Sequence, residues 1–413
     1  MGDISLPLLF VGLMVLEFAY NLWRGNQRQD PRDSALSVLV MIPHFAALSI
    51  VPVVWFVLYQ AALPLVPWRL PVDAWWIWPL GIVVMDLAAY WMHRYHHALN
   101  LTWGVHAVHH SSPYFTVTTG GRSSLAEPLV NIASGAYLIL VAPALLGLPA
   151  EAAALGWLVK DTWGFAVHTE NVGHLGPLEW LLATPRHHSV HHATNPGYRD
   201  RNFGFVFIVW DRLFGTFTPL GDERPRYGVD DPPPTLRPLT VALHHLGRVL
   251  DDARATRRWR DKLRVWFMPA GWRPRDLPPR PPVAATALPA AAPGTYPVGT
   301  LQLATVAALL WYLVATLGQA GTAGDLALLG FVVTATMTLG ELFERSSWLV
   351  PLELARAALV ATMLATTGRW FGRPIDRAVL ALLALEAACL AAALWVDRRL
   401  PRADAAPAAT LSR

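Results

Sequence analysis

Three groups of histidines constrain this chain more tightly than any other feature: HRYHH at 93–97, HAVHH at 106–110 and RHHSVHH at 186–192. In an α-helix, residues three and four apart share a face, with Cβ atoms about 5–6 Å apart. His93 and His97 therefore face the same way, as do His106, His109 and His110, and again His188, His191 and His192. Such clusters converge only where their helices pack side by side, as in the metal sites of helical bundles. Twelve of the fifteen histidines lie between His93 and His192. A structural zinc takes about four ligands, so a set this large calls for two ions rather than one. Imidazole suits zinc, copper, iron and nickel alike, and ligand type alone leaves the metal open.

The surroundings narrow the choice. Of the 413 residues 54% are hydrophobic and only 15% charged, with mean hydropathy +0.34, a membrane protein's balance. Apolar runs at or near the roughly 20 residues that cross a bilayer's hydrocarbon core occupy 4–22, 35–63, 74–92, 128–148, 152–167, 298–317, 326–339, 349–367 and 378–396. The runs at 152–167 and 326–339 are short, which predicts re-entrant or tilted segments. The first run lacks the basic stretch that opens a cleaved signal peptide, so a retained helix is expected there. Cys389 is the only cysteine, which excludes intrachain disulfides, multi-cysteine zinc sites and iron–sulfur clusters. The net charge of +4 comes from arginines scattered along loops, with no basic stripe carrying interleaved aromatics. Nucleic acid is therefore not an expected partner; anionic lipid and positive loop ends account for the charge.

These features predict an all-α fold: a polytopic membrane helical bundle with a histidine-rich di-metal centre at its cytoplasmic face, plus a C-terminal block of membrane helices. Its expected segments are N-terminal membrane helices (1–72), a catalytic domain (73–268), a Pro/Ala-rich linker (269–297), C-terminal membrane helices (298–400) and a tail (401–413). The amphipathic stretch at 241–267 is expected to lie on the membrane face. Arg24, Arg28 and Arg32, with Arg94 and the arginine-rich stretch 186–280, place the histidines on the cytoplasmic side. Arg369, Arg373 and Arg377 then fit that rule only if a later run is re-entrant.

A metal site at the mouth of a lipid-embedded bundle points to a water-insoluble substrate such as an alkyl or acyl chain. Breaking an unactivated C–H bond is beyond side-chain acid–base chemistry and falls to a redox metal with dioxygen. Two irons held largely by histidine fit that task. A hydrolytic two-zinc site ordinarily carries bridging carboxylates, and the nearest acids here are Asp86, Glu127, Asp161 and Glu170. Asp86, two turns before His93, is either an acceptor orienting an imidazole N–H or an intrahelical polar contact. Asn195, Asp200 and Asn202 in NPGYRDRN are either similar orienting groups or turn residues. Trp75, Trp76 and Trp78 fit an interfacial belt, and Trp163 and Trp210 are candidates to line a lipid channel. A rival of another class is a divalent-metal transporter or sensor. Transporters hold ligands near the bilayer midplane on broken helices, whereas these clusters follow the apolar runs.

The run DLAAYWMHRYHHALNLTWGVHAVHHSS from Asp86 is followed by HTENVGHLGPLEWLLATPRHHSVHHATNPGYRDRNFG from His168 and IVWDRLFGTF from Ile208. Together they resemble the fatty acid hydroxylase and sterol desaturase superfamily of membrane non-haem iron enzymes, and within it the alkylglycerol monooxygenase-like members. The likeness covers roughly 74–218 and is weaker in the later membrane block. It implies a di-iron centre, dizinc as isolated in some members, that uses dioxygen to hydroxylate or desaturate a lipid. Residue by residue, the ligand motifs fall on His93 and His97, on His106, His109 and His110, on His168, and on His187, His188, His191 and His192. His96 stands where relatives need no histidine, and His44, His174, His244 and His245 are expected to be ordinary. Arg122 matches an arginine after the second motif. Phe115, Thr116, Arg186, Ser189 and Phe203 depart from the usual residues, which bears on substrate rather than metal. The implied partners are a membrane lipid, dioxygen and an external electron donor, because no HPGG-type haem segment, flavin-binding glycine fingerprint or CxxC occurs. The alkylglycerol type implies a reduced pterin, tetrahydrobiopterin, as that donor.

Overall fold

The computed structural model describes residues 5–26, 28–48, 51–280 and 294–400, so part of the expected linker (281–293) and the tail (401–413) lie outside the described residues. Two compact units divide the chain, one of 1–232 with 242–285 and one of 233–241 with 286–413. Every regular element among the described residues is helical.

The first unit contains α1 (Ser5–Arg24), α2 (Pro31–Leu48), α3 (Val51–Ala62), α4 (Ile77–Ala98), α5 (Asn100–His110), α6 (Val117–Gly120), α7 (Glu127–Ala133), α8 (Ala136–Val141), α9 (Ala150–Ala166), α10 (Pro185–His191) and α11 (Val209–Phe214). Most of α12 (Pro238–Ala255) and all of α13 (Trp259–Phe267) complete it. At its centre α4 and α9 touch through glycine. A Cβ on Gly156 would lie 2.4 Å from the Gly81 carbonyl oxygen, and one on Gly81 would lie 2.4 Å from that of Ala152. Only glycine permits such an approach of main chain to main chain. Gly81 sits beside Ala152, and Met85 beside Gly156, so the two helices run parallel. They deliver His93 and His168 to the same end of the pair. Around them pack Met85, Ala89, Leu140, Ala152 and Ala153. From α3, Trp55 Nε1 donates to the Leu140 carbonyl at 3.1 Å and Tyr59 Oη to that of Leu148 at 3.0 Å.

After α4 the chain breaks at Leu99, whose backbone is extended, and turns directly into α5. Asn100 fixes the corner: its Nδ2 donates to the carbonyls of Val265 and Trp272, and its Oδ1 accepts from Gly271 N–H at 2.8 Å. The turn lays α5 back against the end of α4, which is what brings the second histidine cluster to the first.

Three apolar runs differ from expectation. The run at 128–148 is bent by 76° between Glu127–Ala133 and Ala136–Leu146, and Gly135 takes the left-handed conformation at the bend (φ +77°). The run at 35–63 is carried by two helices, α2 and α3, rather than one. The short run at 326–339 lies inside a 24-residue helix, because threonine, glycine and polar ends extend it on both sides.

In the second unit α14 (Thr295–Ala315), α15 (Gly321–Glu344), α16 (Leu349–Thr367) and α17 (Arg377–Arg399) are each long and apolar enough to cross a bilayer. The chain is an integral membrane protein by this build. The charges at Glu353, Arg356 and Glu386, deep in these helices, are paired, as lipid demands. Arg356 meets Glu353 at 3.1 Å and Glu386 at 2.6 Å, and Gln302 Nε2 donates to Glu353 at 3.1 Å. Arg373, one of the arginines at odds with the loop-charge rule, is buried and paired with Asp325.

Candidate metal centre

Nine imidazoles converge in the first unit. His93, His97, His106, His110 and His191 form one group, and His109, His168, His188 and His192 a second; within each, the ring nitrogens lie within 4.8 Å of one another. The helical repeat explains the division. Successive residues on a helix point about 100° apart, so the i, i+3, i+4 pattern spreads across a face. On α5 the i, i+4 pair His106 and His110 serves the first group, while His109 turns to the second. On α10 and its cap, the i, i+4 pair His188 and His192 serves the second group, while His191 turns to the first. The two helices thus use the same spacing in opposite senses, and α4 and the end of α9 complete one group each.

Hydrogen bonds on the outer nitrogens fix the rings. Nδ1 of His93 donates to the Phe203 carbonyl at 2.9 Å, that of His109 to Arg122 at 3.2 Å, that of His168 to Gly164 at 2.7 Å and that of His191 to Arg201 at 2.8 Å. Nδ1 of His97 faces Asp200 Oδ1 at 3.1 Å. A carbonyl or carboxylate only accepts, so these Nδ1 atoms carry the protons and the Nε2 lone pairs face inward. His93 and His106 Nε2 are 3.2 Å apart, His106 and His110 3.3 Å, His109 and His168 3.1 Å, and His168 and His188 2.9 Å. Nitrogens about 3 Å apart are what ligands about 2.1 Å from a shared ion present to each other. Nε2 of His97 and of His191 is buried with no partner at all. Buried polar atoms rarely go unsatisfied; both belong to the first group, where an ion would satisfy them. Burial, reinforced by neighbouring imidazoles, holds His106, His109, His110, His188, His191 and His192 well below the usual histidine range. Burial alone pushes His168 down to about 4. Neutral imidazole is the form that binds a metal.

The supporting groups are partly unexpected. Asp86 contacts no imidazole; its carboxylate accepts from Val206 N–H, Phe207 N–H and Trp210 Nε1 at 2.9–3.0 Å. Asp211 accepts from Phe203 N–H and Gly204 N–H, both at 2.8 Å. Between them these two acids anchor the loop that aims the Phe203 carbonyl at His93. Asp200 and Asn202 both have φ +54°, and Asp200 is the orienting acid while Asn202 ties the turn, donating to the carbonyls of His187 and Thr218. Asn195 is a turn residue, holding the backbone of Arg224 and Arg226. Trp163 Nε1 donates to the Ala183 carbonyl, so the two tryptophans singled out for a channel are both tied by their indole N–H.

Arg122 is buried against Asp33 at 2.8 Å and Ser111 Oγ at 3.1 Å, which positions its carbonyl on His109. Glu17 accepts from Val117 N–H at 2.6 Å and from the Thr169 hydroxyl, next to His168. Sequence reasoning passed over Glu17 and Asp33. For Glu17 a signal existed, an acid alone in an apolar run; the carbonyls of residues 122, 164, 201 and 203 leave none.

His187 stands outside both groups. Its Nδ1 accepts from Thr184 N–H at 3.3 Å in a capping box at the start of α10, which leaves the proton on Nε2 and no lone pair for an ion. His96 groups with His106 and Glu127, but its Nε2 is 2.9 Å from Asn131 Oδ1. A cavity of about 670 Å³ reaches His97, His110 and His191 and continues between Arg199, Arg248 and Arg273.

Residues 78–216, which hold every one of the nine converging histidines, match the family model for fatty acid hydroxylase. The chain is 36% identical over 206 residues to alkylglycerol monooxygenase of Xenopus tropicalis, covering 50% of this chain and 45% of that protein. The human protein of that name is 31% identical over 271 residues, covering 64% and 58%. An ornithine lipid hydroxylase of Rhizobium tropici is 32% identical over 138 residues, covering 33% and 40%. The chain thus spans about half the length of the curated relatives it matches. No solved structure matches it. The histidine motifs and their convergence thus fall within a segment, residues 78–216, that is similar to the fatty acid hydroxylase family.

Proposed function

We propose that this protein is a membrane lipid hydroxylase in which two irons are held by the two histidine groups, and that it converts an alkyl or acyl C–H to an alcohol. The balance is R–H + O₂ + 2 e⁻ + 2 H⁺ → R–OH + H₂O. The observation that carries this reading is the inward convergence of neutral Nε2 atoms in two adjoining groups, one of five and one of four, without a carboxylate in either. When bound, the irons supply the activation of dioxygen that side chains cannot.

The chain's own residues supply the rest. The carbonyls of Phe203, Arg122, Gly164 and Arg201 hold the Nδ1 protons and so keep each ring in the ligand tautomer. Burial of eight of the nine imidazoles keeps bulk water from the reacting carbon. The electrons come from an external donor, for which we propose tetrahydrobiopterin, entering by the polar cavity that reaches His97 and His110. The substrate chain enters from the lipid, and the catalytic face is the cytoplasmic one.

The test uses the purified full chain with ¹⁸O₂, a lipid extract and reduced pterin, alongside metal analysis. The expected result is about two irons per chain and a lipid product heavier by one ¹⁸O, both lost by more than tenfold in His109→Ala. Full retention of metal and oxidation in that variant would sink the ligand assignment, and a product lighter by two hydrogens would replace hydroxylation by desaturation.

A further inference from the structure

A second pocket lies on the outer side of α10, the helix whose other residues face the metal centre. Its volume is about 320 Å³, within the range of small-ligand sites, and His174, Glu179, Trp180, Arg186, His187 and Arg212 form its polar wall. Donors dominate it. Arg212 is held flat, its Cζ 3.8 Å from the centre of the Phe217 ring and 4.6 Å from that of Trp180. Its Nη2 reaches the Glu179 carbonyl at 3.3 Å, and its Nε is buried without a partner. His187 also lines the wall, its ring held by the backbone of Thr184 and Leu182. Glu179 is the one acid in the wall, and its carboxylate is already taken up. It accepts from Leu175 N–H at 3.2 Å and faces His174 Nε2 at 3.2 Å and Arg186 Nε at 3.7 Å. A pocket with two guanidiniums and a saturated acid is built for an anion with several acceptor oxygens.

The rim says where that anion comes from. Trp180 of the wall exposes 70% of its surface, and close chain neighbours of the lining residues, Leu178, Leu181, Leu213 and Phe214, also expose large apolar side chains. Close by, Trp91 near the end of α4 packs against Phe214 and is capped by Arg94. Tryptophan and arginine above exposed aliphatics are the residues of a membrane–water boundary, where anionic headgroups concentrate basic side chains.

We propose that this pocket binds the phosphate of an anionic membrane lipid, with Arg186 and Arg212 as its ligands. The shared chemistry, a phosphate ester, could also come from a soluble phosphate; the apolar rim assigns it to a headgroup. Binding is read without turnover, so this inference stands or falls separately from the oxidation.

The experiment is native mass spectrometry on the detergent-solubilised full chain with added phosphatidylglycerol, phosphatidylcholine or inorganic phosphate. Wild type should retain one phosphatidylglycerol in clear preference to phosphatidylcholine. Arg186→Gln and Arg212→Gln should each weaken retention by about tenfold, the loss of one charge-assisted contact of about 1.4 kcal/mol. Arg226→Gln, at an exposed arginine outside the pocket, should bind as wild type does. Arg186 is half-exposed and tied to the protein by one long contact, so its variant keeps the test decisive if Arg212→Gln fails to fold. Equal retention by wild type and Arg186→Gln would overturn the proposal. So would inorganic phosphate displacing the lipid at equal concentration.

Discussion

Phe203 serves the metal centre twice, by its carbonyl on His93 Nδ1 and by a ring packed edge-on against His93, His97 and His191. The carbonyl is open to any residue, so a departure from the family pattern at 203 bears on the packing around these rings rather than on the His93 hydrogen bond. What must be kept is the loop's position, and this rests on Asp86 and Asp211. Asp86→Asn turns one of the acceptor oxygens toward a backbone N–H as an NH₂ group. It is expected to lower metal affinity about 10–100-fold, the usual effect of losing an orienting partner, while helix content is kept. Competition with a chelator measures it, and unchanged affinity would refute this role for Asp86. Reading residues from sequence succeeds where chemistry is tied to residue type. Histidine spacing located the nine converging rings, whereas backbone acceptors carry no mark in the sequence. The pair His187 and His188 shows the limit between these cases. Both match the motif, but neighbours on a helix diverge by about 100°, and only the Thr184 cap decides which one faces inward.

At the level of elements, the contact between α4 and α9 sets the frame. Replacing Gly156 by Val puts a Cβ 2.4 Å from the Gly81 carbonyl, and backbone cannot swing aside as a side chain does. The expected cost is about 1–3 kcal/mol or more, with weaker metal binding as His93 and His168 separate. Gly12→Ala is the control, since nothing lies within 4 Å of its Cβ position. Thermal unfolding of both variants in the same detergent checks the pair, and equal midpoints would overturn the packing argument. The apolar runs marked most helices correctly but not their ends. Hydropathy tallies side chains, whereas α15 continues through Gly321–Asp325 and Gly340–Glu344 because its backbone hydrogen bonds do not depend on side-chain polarity. The bend between α7 and α8 was hidden for the converse reason: an apolar run stays apolar across a left-handed glycine.

For the molecule as a whole, the gathering of so many neutral imidazoles ties stability to acidity. Their folded values are depressed, so unfolded chain takes up protons that the folded chain refuses. The metal-free protein is therefore expected to keep full stability above about pH 6.5, the ordinary histidine value. It should lose stability as pH falls below that, continuing to the folded values, about 4 for His168. Unfolding midpoints of the apo protein across pH 7.5 to 5 would test this, and a flat profile would refute it. Composition made the membrane setting plain from the start, whereas the grouping of 233–241 with the later helices depends on contacts between residues far apart in sequence. The glycine contact has one more consequence at this scale. Since α4 leads into one ion group and α9 into the other, and main chain abuts main chain between them at Gly81 and Gly156, the frame that carries both groups is set at this contact by backbone. Lipid-facing residues are then free to diverge and change which chain is accepted, while that frame stays as the backbone has it.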